Sequence, residues 1–122
     1  MYLRRHDLIC TYLHWEVLKY LGQSVEYSCM RHKKYELTSC GNVIVIYDMS
    51  IITKQCVLHN KPDQIIWNKD GRTGLIVDVA VPMDGNCVKK YVGKLTMYQD
   101  LELEIQISWN IQQIKTIAIT VV

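Results

Sequence analysis

Apolar residues recur at three- and four-residue steps from Asp7 to Leu21 (Leu8, Tyr12, Trp15, Leu18 and Leu21), which predicts an amphipathic helix with these side chains on one face. Gly22 is its natural stop. The stretch from Gln23 to Asn42 is polar and mixed, closes on the turn chemistry of Cys40, Gly41 and Asn42, and reads as loop with room for a short helix. Val43 to Ile52 is dense in β-branched residues and short for a helix, so it is read as the first strand, bent near Asp48. Gln64 to Trp67 and Leu75 to Val81 are two more such runs, separated by Asn68-Lys69-Asp70-Gly71-Arg72-Thr73. Asp-Gly accepts the positive φ angles of a two-residue type I′ turn, so the pair reads as a hairpin. The unbroken apolar character of Ile65, Ile66, Ile76, Val77, Val79 and Val81 calls for helices on both faces of the sheet. Helical spacing returns from Asn86 to Trp109, with Val88, Tyr91, Val92, Leu95, Tyr98, Leu101, Ile105 and Trp109 on one stripe, despite Gly93, which costs about 1 kcal/mol relative to Ala. Ile114 to Val122 ends the chain as a β-branched strand.

The expected order is α-β-β-β-α-β, an α/β fold with a mixed central sheet flanked by helices. No internal repeat, low-complexity segment or linker interrupts it, so residues 1–122 are read as one domain. Length and composition agree: 122 residues suit one core, and 49% hydrophobic with 21% charged residues is ordinary for a folded chain. The net charge of +2 does not by itself point to nucleic acid. Its distribution is more informative, because basic residues gather at Arg4, Arg5 and His6, at Arg31, His32, Lys33 and Lys34, and at Lys89, Lys90 and Lys94. Five cysteines without a C-x-x-C pair signal neither a disulfide framework nor a zinc site and fit a reducing compartment. His6 and Cys10 lie one helical turn apart and could form half a zinc site, but two ligands do not make one. Charges occupy the start where a signal peptide needs an apolar stretch, and the run from Val43 to Tyr47 is far too short to span a bilayer, so the chain reads as soluble and intracellular, with no membrane partner.

Counting outward from a turn centred on Asp70-Gly71 pairs Trp67 with Gly74, Ile65 with Ile76, and Asp63 with Asp78. Opposed residues on antiparallel strands have Cβ atoms about 4.5 to 5.5 Å apart, and like charges placed there repel. Asp78 also interrupts an otherwise apolar strand, where an unpaired carboxylate would be costly. A divalent cation compensates both, since Mg²⁺ is commonly held by one or two carboxylates with waters and a phosphate. Asp63 and Asp78 are therefore the candidate metal ligands.

Lys61-Pro62-Asp63, fourteen residues, then Asp78, on the second and third strands of this order, resembles the PD-(D/E)XK nuclease pattern. A longer set, Tyr2-Leu3-Arg4-Arg5-His6-Asp7, His14-Trp15-Glu16, Ile76-Val77-Asp78-Val79-Ala80-Val81-Pro82 and Lys94 through Tyr98-Gln99-Asp100-Leu101, resembles the C-terminal restriction-enzyme-like endonuclease of non-LTR retrotransposon polyproteins. The match runs in order over nearly the whole chain. The resemblance implies a Mg²⁺- or Mn²⁺-dependent domain that nicks target DNA, freeing a 3′ end from which the reverse transcriptase domain of the parent polyprotein primes synthesis, in the nucleus.

On this resemblance Asp63 and Asp78 hold the metal, and Lys94, one helical turn before Tyr98, matches the family's lysine on the following helix, where it would steady the attacking water or the phosphate. Glu16 occupies the first helix, where related nucleases often carry an extra acid. Ala80 stands where a lysine is usually found. Arg4, Arg5, Arg31, Lys33, Lys34, Lys61 and Lys90 are the candidate contacts to DNA phosphates. The competing expectation is a non-enzymatic DNA-binding remnant of such a domain, using the same basic residues without cutting.

Overall fold

The structure is a computed structural model that describes residues 2–23, 35–55, 57–80, 93 and 95–120; the side chains of 2–4 are outside the description. Helix α1 (Tyr2–Tyr20) begins five residues before the apolar periodicity does and stops at Gly22. Gly22 adopts φ +81°, its N–H donates to the Lys19 carbonyl, and the Gln23 N–H donates to that of Leu18. This is a Schellman ending, with glycine at the left-handed position where a side chain would be strained.

The face of α1 turned to the sheet differs from the expected one. Cys10, His14 and Leu18 are buried, whereas Leu8 and Tyr12 are exposed. Apolar residues surround this helix on several sides, so periodicity leaves its rotation underdetermined. The inward row is carried by His14, fully buried with its ring edge-on to Tyr47 at 4.8 Å, and by Cys10 against Val79.

Strands β1 (Leu37–Cys40), β2 (Val43–Tyr47), β3 (Gln64–Asn68), β4 (Thr73–Ala80) and β5 (Gln113–Thr120) form one sheet in that spatial order, with helix α2 (Gln99–Ser108) between β4 and β5. The first three pairings are antiparallel and β4–β5 is parallel, the geometry a helical crossover allows. β1 lies within the stretch expected to be loop. It is a polar edge strand, joined to β2 by Gly41-Asn42 with Gly41 at φ +65°, the positive angle a type II′ hairpin requires first. The strand expected from Val43 to Ile52 ends at Tyr47, because Asp48 turns into the left-handed region at φ 48°.

The β3–β4 register is the counted one, with Ile65 opposite Ile76 and Trp67 opposite Gly74. The turn is different. Arg72, not Asp70 or Gly71, carries the positive φ (52°), the Asn68 side chain accepts the Gly71 N–H, and the loop is wider than two residues. Asn68 and Arg72 thus supply the local bonds that a type I′ turn would have taken from Asp-Gly. Arg72 also ties this turn to the end of α2: its guanidinium donates to the backbone and side-chain oxygens of Asn110, and its carbonyl accepts from Gln112.

Successive strand residues point to opposite faces. Ile46, Ile65 and Ile76 pack with Tyr98, Leu101, Ile105 and Ile111 on the α2 side, while Val79 packs on α1, so the two helices cover opposite faces. The single helix expected from Asn86 to Trp109 is broken within its described part. Residues 95–97 are helical, Tyr98 leaves helical geometry at φ −99° and ψ 10°, and α2 then begins. There the Tyr98 ring turns into the core and its hydroxyl reaches Asp78. Among the described residues no helix is long and apolar enough to cross a membrane.

Candidate metal centre

Asp63 follows the buried Pro62 and immediately precedes β3. Its carbonyl accepts the Asp48 N–H at 2.9 Å and its own N–H donates to Asp78 Oδ1 at 3.2 Å. Its carboxylate Oδ2 accepts the Val79 N–H at 2.7 Å and the His6 ring nitrogen Nε2 at 3.1 Å. Side-chain bonds therefore carry the β3–β4 pairing one residue past the backbone ladder, and Asp63 lies opposite Asp78 as the register requires. Asp78 is 2% exposed, within the buried half of β4.

At this strand end the charge of Asp78 opposes the ionisation of Asp63. Burial, then the hydrogen bond and charge of Asp78, raise the Asp63 pKa to about 6, against smaller opposing contributions from the Val79 N–H and His6. The surroundings respond in the same direction. Burial first, then the negative charge of Asp63 and Asp78, push the Cys10 thiol far above its ordinary range. Burial and the same two carboxylates also raise the Tyr98 hydroxyl, which is hydrogen-bonded to Asp78. These groups form a pocket of accumulated negative potential in which protons are held tightly when no cation is bound.

The third side of the site comes from α1. His6 and Cys10 are four residues apart and share a helix face, which brings the thiol to 3.8 Å from His6 Nε2. The donor atoms of His6, Cys10 and Asp63 all lie within 4.8 Å of one another, so this group could hold a metal ion. Sequence supplied the first two as an incomplete pair. The third ligand arrives from a distant strand, and only the packing of α1 on β4 reveals it.

The other expected site residues fall elsewhere or outside the described residues. Glu16 lies ten residues beyond His6 on the same helix, about 15 Å along its axis. It pairs with Lys19 at 3.7 Å and lines a groove with Val17, Tyr20, Leu21 and Ile66, so it does not join the two aspartates. Lys61 lies 3.8 Å from the Asp48 carboxylate, a half-exposed pair worth little to stability. Arg5 is exposed on α1 beside His6. The side chain of Arg4, and Arg31, Lys33, Lys34, Lys90 and Lys94 altogether, are outside the described residues. Ala80 is buried in β4, two residues past Asp78. Comparison with protein-family models, with curated proteins and with solved structures finds no match to the chain.

Proposed function

We propose that the chain is a metal-dependent DNA endonuclease domain of the PD-(D/E)XK type, acting as the nicking domain of a retrotransposon polyprotein in the nucleus. The observation that carries this reading is the contact of the Asp63 and Asp78 carboxyl groups at the end of β3 and β4, inside a five-stranded mixed sheet with a helix on each face. The donor set fits a hard divalent cation: both groups offer carboxylate oxygens, and the Asp78 charge that opposes ionisation of Asp63 is offset by a bound cation.

Asp63 and Asp78 would hold Mg²⁺ or Mn²⁺, which supplies charge neutralisation at the phosphate and a more acidic water. Asp63 keeps its orientation through the Val79 N–H and His6, so its carboxylate needs little rearrangement to bind. Asp78 is held by the Asp63 N–H, which donates to its Oδ1. Hydrolysis adds the water oxygen to phosphorus and breaks its bond to the 3′ oxygen. The products are a 5′-phosphate and a 3′-hydroxyl, the end a reverse transcriptase partner needs. Lys94 would orient the water or the phosphate, and the basic residues near Arg5 would contact the DNA backbone.

A DNA-binding remnant is the second reading, favoured by the buried Ala80 at the position where the resembled nucleases place a lysine. Incubating the protein with supercoiled plasmid and Mg²⁺ or Mn²⁺ separates the two. Nicking that is abolished by chelator and by Asp63→Asn or Asp78→Asn supports the endonuclease. Salt-sensitive plasmid binding with no metal-dependent nicking supports the remnant.

A further inference from the structure

We propose that His6, Cys10 and Asp63 form a zinc-class metal site with one open position, distinct in donor chemistry from a pure carboxylate magnesium site. The proposal shares Asp63 with the endonuclease reading but does not rest on DNA cleavage.

Three features of the geometry support it. First, the three donor atoms lie within 4.8 Å of one another, near the spacing of ligands around one ion. Zinc bonds of about 2.0 to 2.3 Å at tetrahedral angles put a nitrogen and an oxygen ligand about 3.4 Å apart and a nitrogen and a sulfur ligand about 3.6 Å apart. The observed separations are 3.1 Å from His6 Nε2 to Asp63 Oδ2 and 3.8 Å from His6 Nε2 to Cys10 Sγ. The sulfur is also 3.9 Å from His6 Nδ1, so the imidazole turns its Nε2 towards the thiol to complete the fit.

Second, the donor types select the ion. An imidazole and a thiolate suit Zn²⁺ and its borderline neighbours, whereas Mg²⁺ takes oxygen and gains nothing from sulfur. One thiolate and one carboxylate neutralise a dication, and the imidazole binds as a neutral ligand. Binding releases the Cys10 proton to solvent as the sulfur–zinc bond forms.

Third, His6 has an acidic neighbour outside the donor set. The Asp7 carboxylate lies 3.6 Å from His6 Nδ1, too far for a hydrogen bond but near enough to favour a proton on that nitrogen, which leaves Nε2 free to ligate. Three protein ligands leave a fourth position for water or a phosphate oxygen, the arrangement of reactive rather than purely structural zinc sites. Asp78, buried beside the same cluster, adds negative charge that favours a cation there.

Cobalt(II) titration of the full chain tests this, because a Co²⁺–thiolate bond gives a charge-transfer absorption that carboxylate binding does not. The expected result is one equivalent of Co²⁺ bound with a thiolate band, displaced by one equivalent of Zn²⁺. Cys10→Ser should abolish the band and weaken zinc binding by more than about 100-fold, and Asp7→Ala should weaken it by about 10-fold. Cys40→Ser, on an edge strand, should leave the band unchanged. Circular dichroism checks that Cys10→Ser folds, and His6→Gln, at a partly exposed position, repeats the affinity loss if it does not. A thiolate band that survives in Cys10→Ser, or zinc affinity unchanged in both Cys10→Ser and His6→Gln, overturns the site. The two proposals separate on the parent protein: nicking with Mg²⁺ but no thiolate band refutes the zinc site alone, and a thiolate band without metal-dependent nicking refutes the endonuclease alone.

Discussion

In the presence of a chelator, the protein should lose stability as pH rises from 4 to 7, and Asp63→Asn should remove much of that slope. Asp63 titrates at 3.8 in an ordinary setting and at about 6 in the fold, where burial and Asp78 hold its proton. The folded state therefore binds this proton more tightly than the unfolded chain. Its contribution is complete below pH 3.8 and is lost as pH rises through about 6. At 1.36 kcal/mol for each pH unit between the two values, the change amounts to about 3 kcal/mol. The side chain is 16% exposed, so solvent screening does not erase it. For a domain of this size that corresponds to a fall of roughly 10 °C in Tm. Urea unfolding at pH 4, 5, 6 and 7, parent against Asp63→Asn, isolates the effect from the other carboxylates and histidines, which titrate in both proteins. A saturating divalent cation at pH 7 should then restore stability to the parent, by about 2.7 kcal/mol at a hundredfold excess over Kd, and much less to the variant. Parallel pH profiles for the two proteins would refute the account of Asp63 as a buried, proton-sharing carboxylate.

Leu101→Ala should cost about 2 to 5 kcal/mol in urea unfolding, since Leu101 is fully buried between α2 and the sheet and truncation leaves a cavity. Gly74→Ala should cost about 1 kcal/mol by the same measurement: the new Cβ would come 3.1 Å from Ile111 Cδ1 and 3.4 Å from Ile114, both side-chain ends able to yield slightly. Lys94→Ala should leave Mg²⁺ binding by calorimetry intact while slowing plasmid nicking at least tenfold, because its proposed partner is the water or phosphate rather than the ion.

The central hairpin was legible in the sequence because its register depends on counting, and the count survives a change of turn type. Ile65 faces Ile76 whether Asp70 and Gly71 form a two-residue turn or Arg72 takes the left-handed position in a wider one. The same count brought Asp63 to Asp78. Gly22 was legible because a helix end has its own local chemistry. β1 was not, because Leu37 to Cys40 form an edge strand with no buried face to impose alternation. The rotation of α1 was not, because Leu8 and Tyr12 offer as much apolar surface as the row that is buried, and the choice falls to the fit of His14 on Tyr47. The break at Tyr98 escaped periodicity for a similar reason: Tyr98 belongs to the apolar stripe and is buried as that stripe implies, and nothing in the stripe encodes its turn out of helical geometry. His6 and Cys10 were visible as a pair, but the rotation of α1 decides whether a pair meets a third ligand.

That rotation links folding to chemistry at this site. The row that turns inward on α1, from His6 through Cys10 to His14 and Leu18, is both the packing seam on β4 and the supplier of two donor atoms, so the helix cannot be seated without completing the cluster. Asp63 is bound by the same logic. One oxygen of its carboxylate receives the Val79 N–H, which would otherwise end the β3–β4 ladder unsatisfied, and also receives His6. Removing the carboxylate outright would strand a backbone donor at a cost of about 1 to 3 kcal/mol, independent of any metal. Asparagine keeps an oxygen for Val79 while removing the charge, and for that reason it, rather than alanine, separates what Asp63 does for the fold from what it does for a cation. A carboxylate fixed by the ladder, faced by a second carboxylate and flanked by a thiol and an imidazole has few ways to settle its charge. Below about pH 6 it holds a proton, above that pH its charge favours a metal, and the exchange of one for the other ties the stability of this sheet end to the ion it carries.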